Sequence, residues 1–239
     1  TVVDREAWKT QIRNSLSANA PDVVNWYAAN RMGPYVSAGL FEDISDVWAE
    51  PAFEALASTK SAMTIDGKQW GVLYTYYQIG VYYRKDIYDE LGLSEPKDFS
   101  EMLANCEAML ASGRKCYTIG TKWLWTAAAW FDYISMRTHG YDYQMSFARG
   151  DVKWTDPSVY ETFENWGKLV RMGAFVDDHQ NKDWQQSLPF VVNGEAGGIL
   201  LGNFAVAPMR TAGLTDDQLD FHQFPAIKPG VAMAEAAPT

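Results

Sequence analysis

Gly197-Gly198-Ile199-Leu200-Leu201-Gly202-Asn203-Phe204 reads as a short apolar strand that stops at an amide and an aromatic ring. A brief apolar run punctuated by glycine is a strand signal rather than a helical one. Just upstream, residues 183–193 read as a helix carrying Pro189, and Gly194 leads out of it. Outward from this pair the same alternation recurs. Residues 156–173 read as a helix capped by Asp156, with Pro157 in its first turn, Gly173 at its end and a buried face of Val159, Phe163, Trp166 and Val170. Residues 126–138 read as a helix ending at Gly140, preceded by a strand around Tyr117. Asp98 caps a helix with Glu101 at capping-box spacing and a stripe of Phe99, Met102, Leu103, Cys106 and Leu110. Residues 69–83 read as two strands with Tyr76, Tyr77 and Gln78 between them, and residues 8–19, 21–26 and 32–38 as helix, strand and helix, the last closed by Gly39. Such alternation predicts an α/β fold with a largely parallel sheet.

Three apolar runs end in an aromatic residue beside a side-chain donor. They are Val23-Val24-Asn25-Trp26, Tyr117-Thr118-Ile119-Gly120 leading to Trp123, and the stretch ending at Asn203-Phe204. Ligands of open α/β sheets sit outside the carboxyl ends of the strands, where side chains from distant parts of the chain meet. Aromatic faces plus amides suit a neutral polyol, because a pyranose has an apolar CH face and a rim of hydroxyls that both donate and accept. Trp123 and Phe204 are the expected stacking platforms, with Trp26 a third. Trp125, Trp130 and Trp166 read as packing, Asp132 as a hydroxyl acceptor or a solvent-facing helix residue, and Asp177-Asp178-His179 as a solvated loop.

Composition narrows the classes. The 239 residues are 47% hydrophobic and 21% charged, enough for one large or two smaller cores and far from a disordered composition. A net charge of -10, with no basic stripe, argues against a nucleic-acid partner. No run of apolar residues is long enough to span a bilayer. Neither end shows the pattern of a signal peptide, and both read as interior to a fold, so a signal peptide would be removed or lie elsewhere. His139, His179 and His222 are too scattered to suggest a metal site, and no cofactor is expected. For Cys106 and Cys116, a disulfide is the favoured reading and two buried thiols the other; a bond would contribute about 3 kcal/mol and imply an oxidising compartment.

The segment Pro21-Asp22-Val23-Val24-Asn25-Trp26-Tyr27-Ala28-Ala29-Asn30-Arg31, followed by Ala38-Gly39-Leu40 and Asp43-Ile44, resembles the extracellular sugar-binding proteins of bacterial ABC importers, the family 1 cluster that includes the maltose-binding protein. Gly67-Lys68-Gln69-Trp70-Gly71 through Val81-Tyr82-Tyr83-Arg84-Lys85-Asp86, Phe190-Val191-Val192-Asn193-Gly194-Glu195-Ala196-Gly197, and Phe224-Pro225-Ala226 resemble further family segments in the same order, with Thr75 where many relatives carry Pro. The resemblance implies a two-lobed, type II periplasmic-binding-protein-like fold, here shortened at both ends. Residues 1–77 plus 224–239 would form the first lobe and 78–223 the second, with a ligand cleft between them and hinge closure on binding. It also implies ligand contacts from Trp26, Asn30 and Arg31 in the first lobe, from Tyr76, Tyr77 and Gln78 at the crossover, and from Trp123, Trp184, Asn203 and Phe204 in the second. Arg31 reads equally well as an ion-pair partner. The expected protein is a monomeric, non-enzymatic, periplasmic or extracellular receptor, lipid-anchored if Gram-positive, with a mono-, di- or oligosaccharide ligand and membrane permease subunits as partners. Two alternatives stay open. The same fold would take an amino acid or polyamine if Arg31 or Asp132 supplied a charge. A carbohydrate hydrolase would need paired carboxylates, with Asp132 and Glu195 as candidates, although the alternations are too few for an eightfold barrel.

Overall fold

The computed structural model describes residues 3–233. The expected chain end at 234–239 lies outside them. The described residues divide into two compact units, the first running through Tyr76 and the second beginning at Tyr77.

The first unit opens with α1 (Arg5–Ala18), whose free N–H groups at Glu6 and Ala7 donate to the Asp4 carboxylate. Residues 21–26, expected as a strand, form none: the chain bends at Asp22 and Val23, no strand among the described residues pairs with it, and Val23 is 87% exposed. An apolar run becomes a strand only where another strand takes its backbone groups, and none among the described residues does so. A short helix α2 (Gly33–Ser37) follows, with Gly39 in the left-handed conformation just after it. Strands β1 (Thr64–Ile65) and β2 (Lys68–Gln69) pair antiparallel. Asp66-Gly67 turns between them with positive φ at both positions, as a tight hairpin of this hand requires. Met32, Trp48 and Met63 form the small core, with Phe41, Ile44 and Trp70 packed around it.

The second unit is built on a four-stranded sheet of β3 (Ile79–Arg84), β4 (Lys115–Thr118), β5 (Ala196–Gly202) and β6 (Leu219–His222), in the order β4-β5-β3-β6. Only β4 and β5 are parallel, while β3 runs against both β5 and β6. The sheet is therefore mixed rather than largely parallel, because β3 enters from the unit boundary against β5 and the unexpected short strand β6 returns beside it. Helices α3 (Lys85–Leu91), α4 (Phe99–Ala111), α5 (Trp125–His139), α6 (Tyr141–Ala148), α7 (Pro157–Arg171), α8 (Trp184–Val192) and α9 (Val206–Thr211) complete the unit.

Every residue of β3 and β5 is buried, so the period-two alternation sorts two apolar faces. Val81, Tyr83 and Leu200 join Met102, Met109, Trp130 and Ile134 in one core, whereas Tyr82, Ile199 and Leu201 join Leu188, Val191 and Met209 in the other. A disulfide joins Cys106 on α4 to Cys116 on β4, with 5.1 Å between their Cα atoms.

One expectation about packing gives way. Helix α7 buries Val159, Thr162, Asn165 and Leu169, while Phe163 and Val170 are exposed. The helix is turned so that the Asn165 amide donates to the Thr138 hydroxyl, and Phe163 packs on its flank against Phe131 at 5.1 Å between ring centroids. Phe224 is fully buried in the second unit against Trp130 and Tyr133, and its carbonyl accepts from Arg137 Nε at 2.9 Å. Burial of a large ring and pairing of a buried guanidinium both hold it there.

Candidate functional site

Because β4 and β5 are parallel, their carboxyl ends lie at one edge of the sheet, and β3 begins at that edge because Ile79 pairs with Gly202. Three segments therefore converge there: Tyr77-Gln78 before β3, residues 119–124 after β4, and Asn203-Phe204 after β5. Phe204 folds back over Gly202, where an added Cβ would come within 2.2 Å of the ring; only glycine leaves the space. Tyr77 and Trp184 each meet Phe204 edge-on at 5.2 Å, and Trp125 lies 6.4 Å from it. The Asn203 N–H donates to the Gln78 carbonyl at 3.0 Å. Both amide side chains are exposed, and among the described residues neither forms a hydrogen bond, so each can still donate and accept.

Trp184 is the first residue of α8 and is oriented by a reciprocal capping box between Asp183 and Gln186. Trp123 stands apart: it is 42% exposed, with the Lys122 ammonium 5.6 Å from its ring, and among the described residues it makes no ring contact with Phe204. The 119–124 loop is nevertheless well anchored, since the Thr126 hydroxyl donates to the Gly120 carbonyl and the Thr118 hydroxyl to that of Ser187.

In the first unit, Trp26, Asn30 and Arg31 fall in one short turn where Ala29 takes a left-handed φ of 52°. The Trp26 indole donates to the Arg31 carbonyl at 2.8 Å. The Arg31 guanidinium lies 3.9 Å from the Tyr27 ring centroid, a cation–π contact, and Trp26 meets Tyr27 and Tyr35 edge-on. Asn30 is exposed, as is Tyr76 at the end of this unit. The structure thus gathers Trp26, Asn30 and Arg31 in one place and Tyr77, Gln78, Trp184, Asn203 and Phe204 in another. Trp125, read from sequence as packing, joins the second group; its only signal was a place two residues after Trp123.

The charged candidates have other engagements. Asp132 on α5 accepts from the Gln144 amide at 2.7 Å, and burial pushes its carboxyl up to about 6. In the Asp177-Asp178-His179 segment both carboxylates are exposed, as read, and pair at the surface with Lys115 and Lys182, while His179 Nδ1 lies 2.8 Å from the Thr121 hydroxyl. Among the described residues no group of His, Cys, Asp and Glu could hold a metal ion, and no helix is long and apolar enough to cross a membrane.

Residues 1–238 match the family model described as bacterial extracellular solute-binding protein. An uncharacterised ABC transporter extracellular-binding protein of Pyrococcus horikoshii is 25% identical over 202 residues, 83% of this chain and 45% of the relative. The alpha-glucosides-binding periplasmic protein AglE of Rhizobium meliloti is 25% identical over 174 residues, 67% of this chain and 38% of that protein. Among solved structures, the bacterial solute receptor AcbH matches with a TM-score of 0.87 and 26% identity over 98% of this chain and 59% of its own; it is described as having an exclusive substrate preference for β-D-galactopyranose. The chain spans about half the length of the curated relatives it matches.

Proposed function

The chain belongs to the bacterial extracellular solute-binding protein family, and from that membership we propose that it captures a mono-, di- or oligosaccharide for an ABC importer. The observation that carries this reading is the Phe204 edge of the second unit, where Tyr77, Trp184 and Trp125 surround the ring and the amides of Gln78 and Asn203 remain open. Rings offer faces to a pyranose, and free amides match hydroxyls that donate and accept at once. The sugar-binding relatives support the same ligand class. In this reading Trp26, Asn30 and Arg31 supply contacts from the first unit, Tyr76 and Trp123 close on the ligand from exposed positions, and sugar binding draws the two units together. Closure requires that the closed state bind more tightly, so the ligand touches both units. The protein works outside the cytoplasm after removal of a signal peptide, lipid-anchored if its host is Gram-positive, as a monomer read by permease subunits.

A charged solute would need a free ionic partner. The Arg31 guanidinium lies against the Tyr27 ring, and Asp132 is bonded to Gln144 with its carboxyl raised by burial to about 6. A hydrolase built on Asp132 and Glu195 is disfavoured more strongly. Glu195 precedes β5 and Asn203 follows it, so the length of the strand, about 20 Å, lies between that carboxylate and the aromatic edge. Glu195 is therefore too far from a sugar held at that edge to take part in cleaving it.

The test is intrinsic tryptophan fluorescence of the intact protein titrated with D-galactose, maltose and longer α-glucosides. A saturable change that is lost in Phe204→Ala and Trp123→Ala, without product on long incubation, is expected. A response to charged solutes alone would end the sugar reading, and cleavage of the sugar would end the receptor reading.

A further inference from the structure

Between β4 and α5 the chain passes residues 179–183 at a distance only glycine allows. A Cβ on Gly120 would lie 2.1 Å from the Asp183 carbonyl oxygen and 2.9 Å from that of Lys182. The Thr121 N–H donates to the His179 carbonyl at 2.8 Å and the Lys122 N–H to the Lys182 carbonyl at 3.0 Å. One side-chain hydrogen bond joins these two loops among the described residues, between the Thr121 hydroxyl and His179 Nδ1 at 2.8 Å. On the far side, His179–Asn181 forms a 3-10 turn entered through Asp178 in the left-handed conformation, and Asp178 pairs with Lys182 at 2.9 Å. Trp123 follows Lys122 directly and Trp184 follows Asp183, so two aromatic candidates project from the two halves of one clamp.

We propose that Thr121 and His179 are positioning residues for the sugar-binding edge, holding the Trp123 loop in register with the start of α8. This rests on the sugar-binding reading, and neither residue touches the ligand in it. The backbone bonds and the Gly120 contact keep the loops together; the Thr121–His179 bond adds the constraint that fixes how the loop turns into Trp123. A ring held before the ligand arrives costs less to order on binding, which makes loss of the clamp a loss of affinity more than of fold.

The experiment compares the intact protein with its Thr121→Val, Thr121→Ser and His179→Ala variants, and with each of these and the parent carrying Trp123→Phe. Acrylamide quenching is read without sugar, and affinity is read for whichever of D-galactose and maltose binds the parent more tightly. Thr121→Val keeps the shape and removes the hydroxyl, and is expected to weaken binding about tenfold, the scale of one hydrogen bond plus misplacement of a ring. Thr121→Ser restores it. Without sugar, Thr121→Val and His179→Ala are expected to be quenched more readily than the parent, and that difference is expected to vanish in the Trp123→Phe background. Equal affinity and equal quenching in the parent and Thr121→Val would overturn the proposal, as would an equal loss in Thr121→Ser. If no sugar binds the parent, the sugar-binding reading fails by itself, and the quenching comparison still decides whether the clamp holds Trp123.

Discussion

Asp132 shows how much one side chain can set at the scale of a residue. Its carboxylate accepts from the Gln144 amide nitrogen, while the Gln144 Oε1, itself buried, has no hydrogen-bond partner among the described residues. A protonated Asp132 supplies the missing donor and closes an acid–amide pair, whereas an ionised one leaves a buried charge facing an orphaned acceptor. Burial raises the carboxyl from its ordinary 3.8 to about 6. Between those values the folded state holds a proton that the unfolded state has released. Stability from this group is therefore fully present at the acid end, falls as pH rises through about 4 to 6, and stays lost above; the linkage is worth up to about 3 kcal/mol. Asp132→Asn is expected to stabilise the protein at pH 7 by about 1 to 2 kcal/mol, since an amide donates to Gln144 at every pH. It is also expected to flatten the pH dependence of the urea midpoint between pH 4 and 7. A destabilised Asp132→Asn would mean that the carboxylate serves the folded protein in its ionised form.

At the scale of elements, the α4–β4 pair is tied by the Cys106–Cys116 disulfide across a separation of 10 residues. Both cysteines are buried in the larger core beside Met102, Met109 and Tyr117. Replacing both by alanine is expected to lower stability by about 3 kcal/mol, the loop-closure entropy returned to the unfolded chain plus a small packing loss. No change in the denaturation midpoint would mean that the unfolded chain already holds this turn together. Elements whose ends carry their own chemistry were legible in sequence: Asp98 and Asp156 cap helices as read, the helix expected over 183–193 forms with Asp183 as its cap, and the β4 and β5 runs are strands. The failures have one cause, the absence of the partner from local sequence. Residues 21–26 carry strand chemistry without a neighbour, β6 is too short to announce itself, and the face of α7 was decided by a polar contact with α5. The same holds for the site. The rings of Trp184 and Phe204 could be picked out one by one, but the Thr121–His179 bond links positions 58 residues apart and leaves no periodic trace.

At the scale of the molecule, the two units have cores of unequal size. The first rests on Met32, Trp48 and Met63 with partly buried residues around them, while the second closes two apolar cores over both faces of a sheet. Stability grows with the apolar surface removed from water, so the first unit is expected to unfold at the lower temperature and calorimetry of the chain to show two transitions. Sugar then becomes a probe of where it binds. A ligand held only at the Phe204 edge stabilises the second unit alone and leaves the lower transition where it was. One held by Trp26, Asn30 and Arg31 as well raises both, because each unit must release it to unfold; at a hundred times the dissociation constant the linkage is about 2.7 kcal/mol. We expect both transitions to move up and draw together. The same titration on Trp26→Ala separates the possibilities: if both units hold the sugar, removing this ring weakens the coupling and the lower transition falls back first. A lower transition indifferent to sugar in the parent would assign binding to the second unit and remove the thermodynamic basis for closure.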